Sequence, residues 1–239
     1  AAGGYDGQQY LKNRGKGATI RGTFHLTKGT ELHILVGQES LNGESNLSSG
    51  GGGGTFVTLE DDTALVIAGG GGGTFWMSSR SDLCDGSKST TGNPGGGRGF
   101  PGGENGNGAP LVDYKYSGGG GGGLLTRGGG WRNNDGKHGG HAFIQGGLGG
   151  EGGNRNLDGG FGGGGGTRSG GGGPGGGGGY SGGGSGDYYT GSCAGGGASF
   201  NSGRTKYEQS GNNNGSGYVI ITKMSHSRSR PIMLDVRGK

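Results

Sequence analysis

The sequence predicts a mainly β protein in which short strands are joined to an ordered array of glycine runs. Segments rich in β-branched and aromatic residues recur along the chain, and no stretch of ten residues has the periodicity of an amphipathic helix. Glycine supplies 76 of the 239 residues, while only 25% of the residues are hydrophobic, so one ordinary apolar core cannot cover this length. The glycine must therefore be disordered, or ordered by something other than side-chain burial.

The first strand-forming segments lie between residues 18 and 68. Ala18–Leu26 and Glu31–Gly37 are rich in β-branched and aromatic residues, and the spacer Thr27–Thr30 has a glycine where a hairpin loop favours one. We therefore predict a hairpin between them. A second predicted hairpin turns at Asp61 and Asp62, between the segments TFVTLE and TALVIA.

Further strand candidates follow later in the chain. Gly217–Thr222 is strongly β-branched, which is typical of a central strand, whereas Leu111–Tyr116 and His141–Gln145 are weaker candidates. After the polar, basic stretch Ser225–Arg230 comes a short apolar segment with strand character, whose proline suits a strand start or an edge. Its residues are Pro231, Ile232, Met233, Leu234, Asp235 and Val236.

This last segment, PIMLDV, leaves three interpretations open. It is a frayed terminus, a strand that folds back on its own domain, or a strand that adds to the sheet edge of a neighbouring copy by β-augmentation. The third interpretation assumes that the strand has no place left in its own sandwich. A head-to-tail contact of that kind builds a filament unless it closes into a ring.

The glycine runs are short, similar in length and separated by turn-like polar segments, unlike a flexible linker. Glycine readily adopts the polyproline-II conformation, in which the backbone groups point sideways and neighbouring rods can pair them. We predict hydrogen-bonded polyproline-II helices packed on a β-scaffold; disordered linkers are the alternative. The runs are Gly50–Gly54, Gly69–Gly73, Gly118–Gly123, Gly128–Gly130, Gly162–Gly166, Gly170–Gly173 and Gly175–Gly179.

Charge and hydropathy exclude two classes of partner. The net charge of +4 belongs to residues 223–239, and residues 1–222 are neutral. A neutral body has no electrostatic footprint for nucleic acid, so no nucleic-acid partner is predicted. No segment approaches the roughly 18 consecutive apolar residues of a transmembrane helix, so no membrane span is predicted.

Several features favour a secreted protein. Two cysteines, Cys84 and Cys193, are compatible with one disulfide and an oxidising compartment, with two free buried thiols as the alternative. The sequons at Asn46 and Asn214 permit N-glycosylation. The start of the sequence, residues 1–4, suits a chain whose signal peptide has been removed.

Four blocks, in order, carry a family resemblance: GTFHLTKGTELHILVGQ, GGGGGTFVTLEDDTALVIAGGGGG, GGFGGGGG with GGGGPGGGGGYSGGG, and GSGYVIIT. Over roughly Ala18 to Thr222 the chain resembles the extracellular glycine-rich domain of the anaplastic lymphoma kinase and leukocyte tyrosine kinase receptors. The resemblance implies a β-sandwich of tumour-necrosis-factor type with an inserted lattice of glycine polyproline-II helices. Glycine-lattice adhesins of phage tail tips are similar in composition.

The receptor function does not follow from this resemblance. In the receptors the domain lies beside a cysteine-rich module and binds small helical cytokines. This sequence contains no such module, transmembrane helix or kinase. The resemblance therefore implies the fold, and leaves the function as a structural, adhesive or protein-binding role.

Motifs of catalysis and metal binding are discounted. Gly179–Gly183 matches G-x-S-x-G around Ser181, but such matches arise by chance in a glycine-rich chain, and no strand-to-helix turn surrounds this one. His138 and His141 lack further metal ligands at a suitable spacing, and a hairpin turn explains the acids Glu60–Asp62 better than calcium does. We predict no enzyme activity, cofactor or metal.

Aromatic residues interleave with the glycine runs. They either stack on sugars, bases or a partner, or plug gaps where the array meets the sandwich, and we favour the second interpretation. They are Phe161, Tyr180, Tyr188, Tyr189, Phe200 and Tyr207.

Together these features predict three segments: an N-terminal segment (1–16), a glycine-rich domain (17–223), and a basic tail with an extra strand (224–239). The predicted function is a secreted, non-enzymatic structural or adhesive building block that pairs with itself and assembles into extracellular filaments. The alternatives are a recognition module for an extracellular protein ligand, and a phage-type tail adhesin.

Overall fold

A computed structural model describes residues 1–4, 13–40, 48–98, 100–112, 115–131, 136–153, 157–168, 172–189, 191–224 and 231–238, the last segment with the side chains of 232–236. The regular structure in these residues is mainly β, as predicted, with short 3-10 turns at Asp82–Cys84 and Phe143–Gln145. The strands are β1 (Gly17–His25), β2 (Leu32–Leu35), β3 (Thr55–Leu59), β4 (Ala64–Ala68), β5 (Thr74–Phe75), β6 (Ser192–Cys193), β7 (Phe200–Asn201), β8 (Arg204–Asn213), β9 (Gly217–Lys223) and β10 (Pro231–Gly238).

Two antiparallel four-stranded sheets share one apolar core, an arrangement consistent with a β-sandwich. The first sheet has the strand order β8-β1-β10-β9 and the second β2-β3-β4-β7, while β5 and β6 form a separate pair. Alternate residues of β1 and β10 point into the core, as the period of two in a strand requires, and β3 and β4 add residues from the facing sheet. The buried core residues are Ala18, Ile20, Phe24, Val57, Leu65, Val66, Ala68, Leu234 and Val236.

The predicted hairpin between the first two strand segments is wrong. Both strands form, but β1 pairs with β8 and β10, whereas β2 pairs with β3 in the other sheet. The spacer does turn, since the Thr30 N–H donates to the Thr27 carbonyl at 3.2 Å and Gly29 has a φ of 93°. The turn passes the chain from one sheet to the other, a distinction that local turn chemistry does not encode.

The second predicted hairpin is confirmed. Strands β3 and β4 pair from Thr55 opposite Ala68 towards the turn at Asp61 and Asp62. The Thr63 N–H donates to the Asp61 carboxylate at 3.0 Å, which fixes the turn. The glycine runs before and after this hairpin leave its strands side by side.

The inner strands of the first sheet are β1 and β10, whereas β9, predicted to be central, lies at the edge. Strand β10 lies between β1 and β9 and pairs with both. Strand β9 therefore has one partner strand, and its residues Ile220 and Ile221 are 44% and 47% exposed. The expectation that the sandwich is complete without PIMLDV is therefore corrected. Its apolar residues alternate in phase with the inner face of β1, so the segment fits the core of its own chain.

The described residues of the predicted N-terminal and tail segments, 1–4, 13–16, 224 and 231–238, contact the glycine-rich domain, and the division into three segments stays a prediction. The backbone amides of Ala2, Gly3 and Gly4 donate to the carbonyls of Gly215, Gly15 and Gly50. Of the weaker strand candidates, Val112 forms only an isolated bridge with Trp131, and residues 113–114 lie outside the described residues. The candidate His141–Gln145 ends in the 3-10 turn instead of a strand.

Candidate functional site

The glycine runs form an array held by hydrogen bonds between segments far apart in sequence. The Gly176 N–H donates to the Gly119 carbonyl at 2.8 Å, and the Gly119 N–H donates to the Gly166 carbonyl at 2.9 Å. The Gly165 N–H in turn donates to the Gly176 carbonyl at 2.8 Å. Three runs thus bond to one another through backbone groups alone, so these runs are ordered without side-chain burial.

Close approach of the backbones explains why these positions are glycine. A Cβ on Gly51 would lie 2.0 Å from the Gly176 carbonyl oxygen, and one on Gly119 would lie 1.7 Å from the His138 carbonyl oxygen. Any side chain there would have to push a neighbouring backbone away. The composition of the sequence therefore follows from the packing of the array.

Aromatic side chains fill the seam between the array and the second sheet. Phe56 of β3 stacks on Phe143 with ring centroids 4.9 Å apart, and Tyr180 stacks on Phe200 at 4.8 Å. These rings surround a small cluster that also holds Leu124. Tyr180 and Phe200 thus fill a gap between the array and the sheet, as predicted. Tyr188, Tyr189 and Tyr207 are not part of this cluster.

The predicted disulfide between Cys84 and Cys193 is confirmed. It joins positions 109 residues apart, with a Cα–Cα distance of 5.8 Å. The carbonyl of Cys84 accepts from the Gly72 N–H at 2.7 Å, and that of Cys193 accepts from the Gly96 N–H at 2.8 Å. The covalent link therefore ties two edges of the array together at a point where each is already bonded to its neighbours.

A buried carboxylate stabilises the chain beside this disulfide. Asp85 accepts from the Lys16 backbone N–H at 2.9 Å and forms an ion pair with Arg80. Burial raises the pKa of Asp85, although the Lys16 N–H and the Arg80 charge both act to lower it. The carboxylate thus joins the start of β1 to the disulfide loop.

The amino group of Ala1 lies inside the array. It donates to the Gly53 carbonyl at 2.6 Å, and the Ala1 carbonyl accepts from the Gly71 N–H at 2.8 Å. Burial lowers the pKa of this amine to about 5, with Glu39 acting to raise it and Arg14 to lower it. Residues 1–4 therefore pack as part of the array.

Strand β10 fills a groove between β1 and β9. Its side chains Leu234 and Val236 are fully buried in the sandwich core. On the opposite face Asp235, with 5% of its side chain exposed, forms an ion pair with Arg21 of β1 at 2.9 Å. The groove thus selects β10 by apolar fit on one face and by charge on the other.

Sequence reasoning missed the Arg21–Asp235 pair. Arg21 is the one Lys, Arg, Asp or Glu residue of β1, and Asp235 stands between two apolar residues of β10; both positions face away from the core. Opposite charges at such positions are a signal of cross-strand pairing. Without the register between the two strands, however, the signal did not identify the partner.

The remaining predicted site residues lie apart from one another. Asn214 is exposed in the connection between β8 and β9, where its side-chain oxygen accepts from Arg14 Nε at 3.2 Å, and its glycosylation stays a prediction. Asn46 lies outside the described residues. Ser181 is buried, donating to the Thr90 carbonyl at 2.7 Å and accepting from the Gly106 N–H at 3.1 Å.

The two discounted histidines occupy different environments. His138 is buried, and its Nδ1 lies 2.6 Å from the Glu151 carbonyl oxygen, so that nitrogen is engaged by the backbone. Burial, with the Arg127 charge, lowers the pKa of His141. Among the described residues no cluster of three or more His, Cys, Asp or Glu side chains could hold a metal ion.

The comparisons with known proteins return no relative. No family model, curated protein or solved structure matches the chain. In the part of the chain that the structure describes, no helix has the length and hydropathy to cross a bilayer.

Proposed function

We propose that this protein is a secreted structural building block that assembles with copies of itself by exchanging strand β10. One observation supports the proposal above the others: the last strand of the chain is an inner strand of a sheet and supplies part of its core. A strand in that position is indispensable to the fold, and the groove that holds it is the same in every copy. It can therefore be supplied by a neighbouring copy with identical contacts.

The array suits a structural role. Its runs bond to one another through the backbone and are tied by the disulfide, which gives a stiff body that needs few apolar residues. Disulfides form and persist in oxidising compartments, which favours secretion. A stiff, oxidised body with an exchangeable strand is suited to bearing load in an extracellular filament.

Exchange costs little in contacts. When β10 enters the groove of a neighbour, Leu234 and Val236 fill the same core and Asp235 meets the same arginine, since the two grooves are identical. The connection from β9 to β10, residues 224–230, is longer than the two to five residues of a usual hairpin loop. Two copies that exchange with each other close as a dimer, whereas a chain that gives its strand to one neighbour and receives one from another makes a heterologous contact, which extends unless a ring closes.

A cross-linking experiment tests the exchange. Thr23 of β1 lies opposite Met233 of β10, on the outer face of the sheet. Opposed residues of antiparallel strands have Cα atoms roughly 4.5–5.5 Å apart, within the range of a disulfide. A Thr23→Cys, Met233→Cys variant is folded at low and at high protein concentration, oxidised, and separated by mass without reduction.

The proposal predicts a ladder of covalent oligomers that lengthens with protein concentration. The control is Thr19→Cys with Gln209→Cys, a pair between β1 and β8 that exchange of β10 leaves within one chain. It should give linked monomers at every concentration. Linked monomers from the first variant at all concentrations would show that β10 stays in its own chain, as expected for a monomeric recognition module.

The finer description of the fold is also a proposal. We infer that the glycine runs are polyproline-II helices and that the sandwich is of tumour-necrosis-factor type, as the resemblance to the receptor glycine-rich domains implies. The sideways bonding of Gly119, Gly165 and Gly176 supports the first part. Amide exchange and backbone coupling constants test it, and fast exchange throughout Gly175–Gly179 would restore the linker interpretation.

A further inference from the structure

A row of aromatic rings and cations lies on turns of the glycine array. The rings of Tyr116 and Tyr188 have centroids 5.1 Å apart, and those of Tyr188 and Tyr189 are stacked at 4.7 Å. Tyr189 is 49% exposed and Tyr116 39% exposed. These residues come from separate turns of the array, so the row exists only in the folded protein.

Three cations extend the row at both ends. The guanidinium of Arg98 lies 5.6 Å from the Tyr189 ring centroid. Lys115 Nζ lies 4.7 Å from the Tyr116 centroid. Arg168 lies 5.5 Å from the same ring and 4.8 Å from that of Trp131. We call these seven residues the ring–cation patch: Arg98, Lys115, Tyr116, Trp131, Arg168, Tyr188 and Tyr189.

The charges of the patch are only partly balanced by described residues. The Arg98 side chain forms an ion pair with the buried carboxylate of Asp187 at 3.1 Å. The buried Nη1 of Arg168 has no hydrogen-bond acceptor among the described residues. That atom is inaccessible from the surface, so a ligand at the patch would meet the charge of the Arg168 guanidinium and not its buried Nη1.

We propose that the ring–cation patch binds an acidic polysaccharide with carboxylate groups. Sugar rings would pack on the exposed parts of Tyr116 and Tyr189, and carboxylates would meet the charges of Arg168 and Lys115. The inference is independent of strand exchange, because a monomer presents the same patch. If the protein is adhesive, an acidic polysaccharide is the ligand to which it adheres.

Two features favour a glycan over the other aromatic-stacking polymer, single-stranded nucleic acid. Nucleic-acid grooves follow the phosphate backbone with an extended basic surface, whereas residues 1–222 are neutral and the cations here flank a short row of rings. The disulfide also favours an extracellular setting, where acidic glycans are abundant.

Binding of defined oligosaccharides to the full chain tests the assignment. The probes are a uronic-acid octasaccharide, the same octasaccharide with its carboxyl groups reduced to alcohols, and a single-stranded DNA of equal charge. We expect the uronic-acid probe to bind about tenfold or more tightly than either other probe. The affinity should fall as salt is raised, because charges contribute.

Variants separate the patch from the rest of the surface. Tyr189→Ala and Arg168→Gln should each lower the affinity for the uronic-acid probe about tenfold. Arg168→Lys keeps the charge but loses the forked guanidinium, so it should lower the affinity less. The matched control is Tyr207→Ala, which removes an exposed tyrosine that lies 5.6 Å from Arg21 on the first sheet. It should bind as the unchanged protein does.

Each contrary result overturns the proposal. Equal affinity for the acidic and reduced octasaccharides would remove the role of the carboxylates, and tighter binding of DNA would make the patch a nucleic-acid site. No binding by the unchanged protein, or an equal loss in Tyr207→Ala, would show that the patch is not a glycan site. Melting temperatures of all variants confirm that each is folded.

Discussion

Gly121 and Gly177 belong to different glycine runs, yet a Cβ on Gly121 would lie only 1.9 Å from the Gly177 carbonyl oxygen. The Gly177 N–H donates to Gly195 at 2.9 Å, and the Gly121 N–H donates to Gly183 at 2.9 Å. Both backbones are thus fixed by further runs, and neither can withdraw alone. This contact shows the principle of the array, in which close packing of the backbone replaces packing of side chains.

The first prediction concerns this contact. Gly121→Ala should destabilise the protein by about 3 kcal/mol or more, at or beyond the upper end of usual overpacking costs, because the methyl group meets fixed backbone and not a mobile side chain. Urea denaturation measures the change in the free energy of unfolding.

Gly130→Ala is the matched control for Gly121→Ala. Gly130 is also buried in a glycine run, but the nearest atom to its added Cβ is 3.8 Å away. That substitution should be neutral, or stabilising by up to about 1 kcal/mol through the unfolded chain. If both variants lose stability equally, the runs need glycine for its backbone conformational preference and not for close packing.

The second prediction concerns the disulfide. Replacing Cys84 and Cys193 together by serine should lower the free energy of unfolding by roughly 4–5 kcal/mol in the chain-entropy model, because the closed loop is long. The free energy of unfolding of the serine variant is compared with that of the unchanged protein, measured once oxidised and once after reduction. Reduction should reproduce the loss in the unchanged protein and leave the serine variant as it was. A serine variant as stable as the oxidised protein would show that backbone bonds alone hold the array.

Local patterns predicted the strands better than their partners. The turn at Asp61 and Asp62 joins two strands that pair with each other, so sequence proximity gave the correct hairpin. The turn at Gly29 uses similar residues but passes between sheets. Nothing within Thr27–Thr30 distinguishes the two outcomes, because the choice depends on β8 and β10, which begin only at Arg204 and Pro231.

The places of β9 and β10 show the same limit. Gly217–Lys223 has the stronger β-branched pattern, but the shorter apolar segment around Leu234 takes the inner position in the sheet. Its alternation matches the inner face of β1, and this match is visible only when the register is known. The ring–cation patch was even less accessible to sequence reasoning, because Arg98, Trp131 and Tyr189 lie far apart in the chain and meet only through the array.

The third prediction uses the pKa of Asp61. The Thr63 N–H lowers the pKa of this exposed carboxyl below its ordinary value of 3.8. The folded state therefore binds the proton less readily than the unfolded state does. Stability from this group is present above the ordinary pKa and is lost as the pH falls through the lowered one.

Two variants isolate this contribution. Asp61→Asn keeps an oxygen that can accept from the Thr63 N–H but does not titrate, whereas Asp61→Ala removes the acceptor. The unchanged protein should exceed Asp61→Asn in stability near neutral pH, and this difference should shrink in acid. Asp61→Ala should be the least stable of the three near neutral pH. A difference between the unchanged protein and Asp61→Asn that does not vary with pH would exclude the carboxylate as its source.

The last prediction concerns the core contribution of β10. Leu234 is fully buried against both sheets, whereas Ile221, directly opposite it on β9, is 47% exposed. Leu234→Ala removes buried methyl groups and leaves a cavity, at a cost of about 2–5 kcal/mol, while Ile221→Ala should cost less than about 1 kcal/mol. Urea denaturation of dilute protein gives both values. Because a donated strand fills the same groove, Leu234→Ala should also shorten the covalent ladder of the Thr23→Cys, Met233→Cys variant. If Leu234→Ala lowered the free energy of unfolding as little as Ile221→Ala does, β10 would contribute little to the core. The inner position of β10 in the sheet and the exchange of β10 between copies would then both be wrong.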